Sequence, residues 1–286
     1  MEPILKWAGG KRQLLPELKA FIPVEHCKTT RYFEPFIGGG SLCFNLELPN
    51  IVINDLNPEI INVYQQIYNN PLQLIRELQK HQQQHCIEYY YKIRELDRTP
   101  NFLKLSLLKR AARVIYLNRT CYNGLYRVNS LGQFNVPIGR YVNPDIVMEH
   151  RILELHSYFH NNNVVFRNMD FADAVADATM GDFIYFDPPY DYDVSGFTSY
   201  FSDGFSHNDT KRLKEVADVL IDRGCIVLIS NNATQYVLSL FDDDKYTIKN
   251  ISANRSINSI GSNRKNASEV LIYGRLYYYI SSIKSI

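Results

Sequence analysis

Residues 31–55 read RYFEPFIGGGSLCFNLELPNIVIND, and the fold is decided there. Residues 31–36 form a short apolar run that ends in Gly38, Gly39 and Gly40, the pattern of a strand leading into a tight turn. A second apolar run, residues 51–54, ends on Asp55, 17 residues after Gly38. Glycines after one strand and an acid after the next are the arrangement of a nucleoside-binding β-α-β unit. A Walker loop needs Lys-Ser/Thr after its glycines, whereas Ser41-Leu42 follow here. The dinucleotide fingerprint also lacks its third glycine. The pair of features therefore reads as a site for a nucleoside-containing cofactor without a dominant phosphate cradle. Taken singly, the glycines are a tight turn and Asp55 is a cap for a helix starting at Pro58.

Working outward, a helix is expected over QLLPELKAF, near the start of the chain. Residues 58–118 carry apolar side chains at i, i+3, i+4 spacing and read as several helices without strands. Residues 120–143 change to Asn-Gly, Leu-Gly and Ile-Gly steps among aromatics, which reads as a hairpin or ordered loop. Apolar runs at 164–167, 183–186, 225–230, 246–251 and 270–275 bring the strands to about seven. The fold class is α/β, a Rossmann-like sheet interrupted by a mainly helical insertion. Residues 1–57 and 147–286 are expected to form the sheet domain and 58–146 the inserted one.

At 286 residues, with 45% hydrophobic and 21% charged side chains, the chain excludes wholesale disorder, collagen and coiled coil. Lys6, Lys11 and Arg12 interrupt the start where a signal peptide needs an apolar core, and no apolar run reaches about 18 residues. The expectation is a soluble cytoplasmic protein without a membrane segment. Five scattered cysteines, with no CxxC pair and no Cys/His cluster at zinc spacing, point to reduced thiols and no structural metal. The net charge of +1 conceals segregation. Residues 98–144 hold Arg98, Lys104, Lys109, Arg110, Arg113, Arg119, Arg127 and Arg140 and no acid, whereas residues 169–244 carry a net −11. Such asymmetry suits a region that meets a polyanion; the plain alternative is a solvated face.

The sharpest chemical signal is Asp187-Pro188-Pro189-Tyr190, at the end of the apolar strand DFIYF. In an open α/β sheet, ligands lie at the carboxyl edge of the strands. Two prolines remove two backbone donors and leave carbonyl oxygens beside a carboxylate, an acceptor-only cup suited to a neutral NH2 group. Tyr190 offers a face for an aromatic ring. A rigid exit turn is the structural alternative. Lys6-Trp7-Ala8-Gly9-Gly10-Lys11 joins an aromatic, two glycines and cations, as a loop folded over a carboxylate-bearing ligand would.

KWAGGK at 6–11, FEPFIGGG at 33–40, Asn54-Asp55 and DPPY at 187–190 occur in that order, with the insertion before DPPY. Together they closely resemble the Dam family of DNA adenine methyltransferases. The likeness extends to YNGLYRVN at 122–129 and FNVPIGRY at 134–141, similar to the family's target-recognition segment, and so covers nearly the whole chain. It implies transfer of a methyl group from S-adenosylmethionine to adenine N6, usually in GATC, by direct displacement without a covalent enzyme intermediate. By motif match, Trp7, Lys11, Asp55 and Asp187 would touch the cofactor. Phe36, Gly38 and Gly40 would shape its pocket, and Asp170 with Phe171 would meet its adenine. Asp187 and Pro188 would hold the target N6, with Tyr190 stacked on the flipped base.

The resemblance also gives the basic insertion a role on double-stranded DNA. Arg127 matches the reader of the first guanine, whose O6 and N7 suit a bidentate arginine. Tyr122 and Asn123 match the residues that fill the gap left by the flipped base. Leu125 and Pro137 match apolar contacts suited to a thymine methyl. Arg119, Lys109, Arg110 and Arg113 read as phosphate contacts or plain solvation. Residues 191–206 resemble a lid carrying Phe197 and Tyr200, and residues 255–268, with Arg255, Arg264 and Lys265, read as a phosphate-gripping loop. Tyr122 and Leu125 are equally read as core of the insertion, and both loops as plain surface. The acceptor cup alone also suits an enzyme acting on RNA adenine or a protein glutamine amide. A cognate restriction endonuclease acting separately, in a bacterial or phage setting, is the remaining expectation.

Overall fold

The computed structural model describes residues 1–7, 14–189, 205–252 and 268–274. In chain order the elements are α1 (Leu15–Ala20), α2 (Val24–Cys27), β1 (Tyr32–Glu34), α3 (Cys43–Leu46), β2 (Asn50–Asn54), α4 (Pro58–Asn69), α5 (Pro71–Gln84), α6 (Ile87–Arg94) and α7 (Leu107–Thr120). They continue as α8 (Glu149–Asn161), β3 (Asn163–Arg167), α9 (Phe171–Ala174), β4 (Phe183–Phe186), α10 (His207–Asp222), β5 (Ile226–Asn232), α11 (Gln235–Leu240), β6 (Tyr246–Ser252) and β7 (Ser268–Gly274).

The seven strands form one sheet in the order β3-β2-β1-β4-β5-β7-β6. Strands β2, β1, β4 and β5 pair in parallel, and β7 lies antiparallel to both β5 and β6. This is the α/β, Rossmann-like architecture expected from the sequence. Strand order reverses between β1 and β4, the kind of switch point at whose carboxyl edge open sheets bind ligands.

Two compact units divide the chain: Met1–Arg12, Ile37–Pro49 and Asp55–Asn168 in one, Gln13–Phe36, Asn50–Asn54 and Met169–Ile286 in the other. In the sheet-bearing second unit, alternate strand residues Phe33, Ile184, Phe186, Val227, Ile229, Val270 and Ile272 form one apolar layer with Leu213, Ala217 and Leu220 of α10. Period-2 alternation meets a helical face there, and burying each such side chain stabilises by roughly 1.5–3 kcal/mol. A capping box, with Ser206 and Asp209 bonding each other's backbone N–H, starts α10. At the amino ends of β1 and β4, Arg31 grips Asp182: its backbone N donates to Oδ1 at 3.1 Å and its NH2 to Oδ2 at 2.6 Å.

In the first unit the helices predicted over 58–118 are α4 to α7. Asn57 caps α4 by accepting from Glu59 N, ahead of Pro58 at the first helical position. Ile60, Val63, Tyr64 and Ile67, spaced at three and four residues, are buried along its inner face. The apolar SLCFNLEL, helix-like in sequence, forms only the four-residue α3, because Glu47 adopts φ 54 and ends it.

Half of the basic run is not open to solvent: Lys104, Lys109, Arg127 and Arg140 are exposed, whereas Arg98, Arg110, Arg113 and Arg119 are drawn inward. Their partners are Asp97 and Asp145, just outside the run in sequence, and Glu59 of α4. Arg113, 4% exposed, has its NH2 2.7 Å from Asp97 Oδ2, and Arg98 NH1 donates to Asp97 Oδ1 at 2.8 Å. Arg110 pairs with Glu59, and Arg119 Nε donates to the Asp145 carbonyl at 2.9 Å. Arg113, read from sequence as a phosphate contact or a solvated cation, is a buried structural ion.

Candidate active site

At the carboxyl edge of the sheet-bearing unit, Asn54 is the organiser. Its Nδ2 donates to Pro35 O at 2.9 Å and to Met169 O at 3.0 Å, and its Oδ1 accepts from Met169 N at 3.0 Å. One buried amide thus ties the exits of β1 and β2 to the residue before Asp170. Asp170 caps α9 by accepting from Ala172 N, and Arg212 NH2 lies 2.7 Å from its Oδ2. Phe36, Phe171 and Phe205 pack as an aromatic trio with centroids 5.4 to 5.7 Å apart, and the Arg212 guanidinium sits 4.5 Å from the Phe171 centroid. Phe36 and the Asp170-Phe171 pair, matched separately from sequence, are therefore brought together.

Asp187 leaves β4 at the same edge. Pro188 is buried and Pro189 exposed, and neither has an N–H to donate. Ser230 Oγ donates to Asp187 Oδ1 at 2.7 Å, a bond that follows from the β4–β5 register, in which Phe186 stands opposite Ile229. Sequence reading missed Ser230, because a serine inside an apolar strand carries no motif.

The first unit holds the glycine turn. Gly38 and Gly40 have φ of 44° and 68°, conformations that an L side chain rarely adopts. A methyl on Gly38 would lie 2.6 Å from Trp7 Nε1, and one on Gly40 would collide with the Phe44 ring. Trp7 therefore lies flat against the turn, and Tyr64 OH donates to Gly38 O at 2.7 Å. Asp55 Oδ2 accepts from Gly38 N at 3.0 Å and Oδ1 from Asn57 N at 2.9 Å. The helix cap is Asn57, so Asp55 serves the glycine turn instead. Burial pushes the Asp55 carboxyl up from its usual range, and those two backbone donors pull it back only in part.

The stretch matched from sequence to a target-recognition segment lies in this unit too. Tyr122–Gly124 forms a 3₁₀ turn with Asn123 at φ 53, and Tyr122 N donates to Pro137 O at 2.8 Å. Cys121 bridges Ile138 and Val128 bridges Phe134, so residues 120–139 fold back as the expected hairpin-like loop. Tyr122, 48% exposed, stands out with Asn123, Arg127 and Pro137, whereas Leu125 is half-buried. Arg119 has an 11% exposed side chain held by Asp145, a different setting from that of Arg127. Asn118, which carried no sequence signal, accepts from Lys6 N and donates to Lys6 O and Gly124 O, fixing the chain at Lys6 to this segment. Tyr126 stacks on Trp7 at 5.4 Å. Lys11, Tyr190, Phe197, Tyr200, Arg255, Arg264 and Lys265 lie outside the described residues.

Among the described residues no helix is long and apolar enough to cross a membrane, and no group of three His, Cys, Asp or Glu is placed to hold a metal ion. Four of the five free cysteines are buried.

The family model for D12 class N6 adenine-specific DNA methyltransferases matches residues 7–257. The chain is 43% identical to the type II methyltransferase M1.LlaDCHI of Lactococcus lactis subsp. cremoris, over 95% of each chain. It is 36% identical to the type II methyltransferase M.MjaIII of Methanocaldococcus jannaschii, over 93% of this chain and 96% of that one. It is 34% identical to the DNA adenine methylase of Escherichia coli K12, over 93% of both. The matched span takes in glycine turn, insertion and acceptor cup alike, and likeness of this extent makes the chain a member of the D12 class of N6 adenine-specific DNA methyltransferases.

Proposed function

We propose that this methyltransferase uses S-adenosylmethionine to methylate N6 of an adenine flipped out of duplex DNA, within GATC. The observation that carries the proposal is the Asp187-Pro188 corner: a carboxylate with one oxygen held by Ser230, next to a residue with no N–H. Such a corner accepts hydrogen bonds and donates none, so it holds an NH2 group and turns the nitrogen lone pair away from itself. The donor set of the glycine turn fits the cofactor. Asp55 accepts hydrogen bonds, as ribose hydroxyls require, and among the described residues no phosphate cradle is built around it. Trp7, Asp55, Phe36, Asp170 and Phe171 would hold the nucleoside, with Lys11 and Asp187 contributing. Bound S-adenosylmethionine supplies an electrophilic methyl group on a sulfonium sulfur. The chain's own contribution is then orientation and proximity, which alone are worth several kcal/mol.

Residues 58–146 would read the DNA, with 1–57 and 147–286 catalytic. Arg127 would address the first guanine, Tyr122 and Asn123 the vacated stack, and Leu125 and Pro137 the thymine methyl groups, with Arg119 near the backbone. A duplex DNA substrate supports a cytoplasmic enzyme in a bacterial or phage-infected cell, and its type II relatives favour a restriction endonuclease acting separately on the same site.

The test is transfer of labelled methyl groups to a GATC duplex and to duplexes differing from it by one base pair. Label on the GATC adenine alone supports the whole reading, and Asp187→Ala should then abolish it. Label on a different duplex rejects GATC. Absence of label from every duplex, with S-adenosylmethionine binding demonstrated, rejects GATC and its single-pair neighbours and turns the search to RNA adenine and protein glutamine amides.

A further inference from the structure

Asp187, Ser230 and Tyr185 form a hydrogen-bonded chain within the sheet-bearing unit, and its proton order follows from their chemistry. Ser230 Oγ lies 2.7 Å from Asp187 Oδ1 and 3.0 Å from the Tyr185 hydroxyl. Ser230 is 0% and Tyr185 1% exposed, so neither is at the surface exchanging these bonds freely with water. An ionised carboxylate only accepts, which commits the single Ser230 proton to Asp187. Ser230 must then accept from Tyr185. The chain therefore runs from Tyr185 O–H to Ser230 Oγ, and from Ser230 O–H to Asp187 Oδ1. Burial, with the charge of Asp187 and those of Glu34 on β1 and Glu269 on β7, pushes the Tyr185 hydroxyl well up, so that it keeps the proton this order requires.

The backbone makes the arrangement inescapable. Tyr185 and Asp187 are two residues apart and share a sheet face, while the parallel register that sets Phe186 beside Ile229 brings residues 187 and 230 level. A hydroxyl at residue 230 is thus delivered to the carboxylate by strand pairing and not by loop packing.

We infer that Ser230 and Tyr185 are positioning residues for methyl transfer: Tyr185 fixes the Ser230 hydroxyl, and Ser230 fixes the plane in which Asp187 presents itself to the target amino group. The inference rests on the reading of Asp187 as the acceptor for that group. A carboxylate that has lost this bond would still bind, but would spend less of its time aligned. The loss therefore falls on the rate of the chemical step and leaves binding largely unchanged.

The experiment is single-turnover methylation of a duplex that the unaltered enzyme modifies, with S-adenosylmethionine affinity, duplex affinity and melting temperature measured on the same variants. Ser230→Ala should slow the step by roughly 10- to 100-fold, the worth of one hydrogen bond to a charged group, while both affinities stay within about 3-fold. Ser230→Thr, which keeps the hydroxyl, should recover to within about 3-fold of the unaltered rate. Tyr185→Phe should cost less than Ser230→Ala and nothing further on top of it, because its effect passes through Ser230. Full activity of Ser230→Ala alongside an inactive Asp187→Ala overturns the inference and leaves the role of Asp187 intact. Near-normal activity of Asp187→Ala overturns the underlying reading instead. A Tyr185→Phe cost that persists undiminished in the Ser230→Ala background overturns the order of the chain. Equal losses in rate, affinity and melting temperature, unrescued by threonine, mark Ser230 as structural only.

Discussion

Asn135 holds Arg127 twice: its Oδ1 accepts from Arg127 Nε at 2.7 Å, and its backbone N donates to Arg127 O at 3.1 Å. The arginine is exposed, and the hydrogen bond that anchors its guanidinium uses Nε and not the terminal NH1 or NH2. Bidentate reading of guanine O6 and N7 requires such a terminal fork.

Arg127→Ala should therefore remove about 1–3 kcal/mol of discrimination at one base pair and leave the other positions of the site unchanged. Asn135→Ala should weaken discrimination at that same pair by a smaller amount, because the fork survives without its anchor. Comparing kcat/KM on duplexes altered one pair at a time checks both. A loss spread evenly over all sequences would make Arg127 a phosphate contact.

Trp7 is the chain's only tryptophan and lies against Gly38, so intrinsic fluorescence reports directly on the glycine turn. Gly38→Ala would place a methyl 2.6 Å from the indole nitrogen at a backbone φ of 44°. The left-handed conformation alone costs roughly 1–2 kcal/mol for a residue bearing a Cβ. The variant should lower folding stability by roughly that amount, shift the emission maximum to the red as Trp7 is displaced, and weaken S-adenosylmethionine binding to the extent that Trp7 has moved. Unchanged emission would show that the turn makes room without moving Trp7.

The fold was legible because its strands are short apolar runs with glycine or acid at their ends. β2, β3, β4 and β6 lie within a residue or so of their predicted bounds. What escaped was pairing at a distance. Counting charge over residues 98–144 finds no acid, yet Asp97 and Asp145 flank that span by one residue on either side and Glu59 folds in from α4. Composition sees adjacency in sequence, whereas an ion pair needs adjacency in space. The same limit hid Ser230, Asn118 and Asn57, whose work is to hold the residues that motifs single out. Motif residues advertise chemistry; their supports look like ordinary polar side chains until strand register or a helix cap brings them within 3 Å.

Asp97 anchors the loop of residues 120–139. Its Oδ2 accepts from Phe134 N at 2.8 Å while Arg98 NH2 donates to Phe134 O at 3.0 Å, and its carboxylate neutralises the buried Arg113. Asp97→Ala would strand the Arg113 guanidinium in the interior, which costs about 3–5 kcal/mol. Urea unfolding should register that loss. By contrast, Glu25→Ala, which breaks the exposed Lys28 pair, should cost under about 1 kcal/mol. Equal effects would contradict the buried assignment of Arg113.

His81 supplies a pH-dependent stability. Its Nδ1 lies 2.8 Å from the Tyr89 hydroxyl and its ring stacks on Tyr116 at 4.9 Å. Burial lowers its pKa from 6.5 to about 4, the pull of Glu77 upward and the push of Lys80 downward being smaller. The folded chain therefore holds the imidazole neutral where the unfolded chain protonates it. As pH falls below 6.5 the unfolded state binds the proton first, so stability drops across the window from 6.5 to about 4 and levels off below it. The contribution is roughly 3 kcal/mol. His85, which shares Tyr116 and is also shifted down by burial, should add a smaller loss of the same sign. His81→Gln should flatten the acid limb of melting temperature against pH relative to the unaltered chain. Parallel curves would mean that His81 is as readily protonated in the folded protein as in the unfolded one.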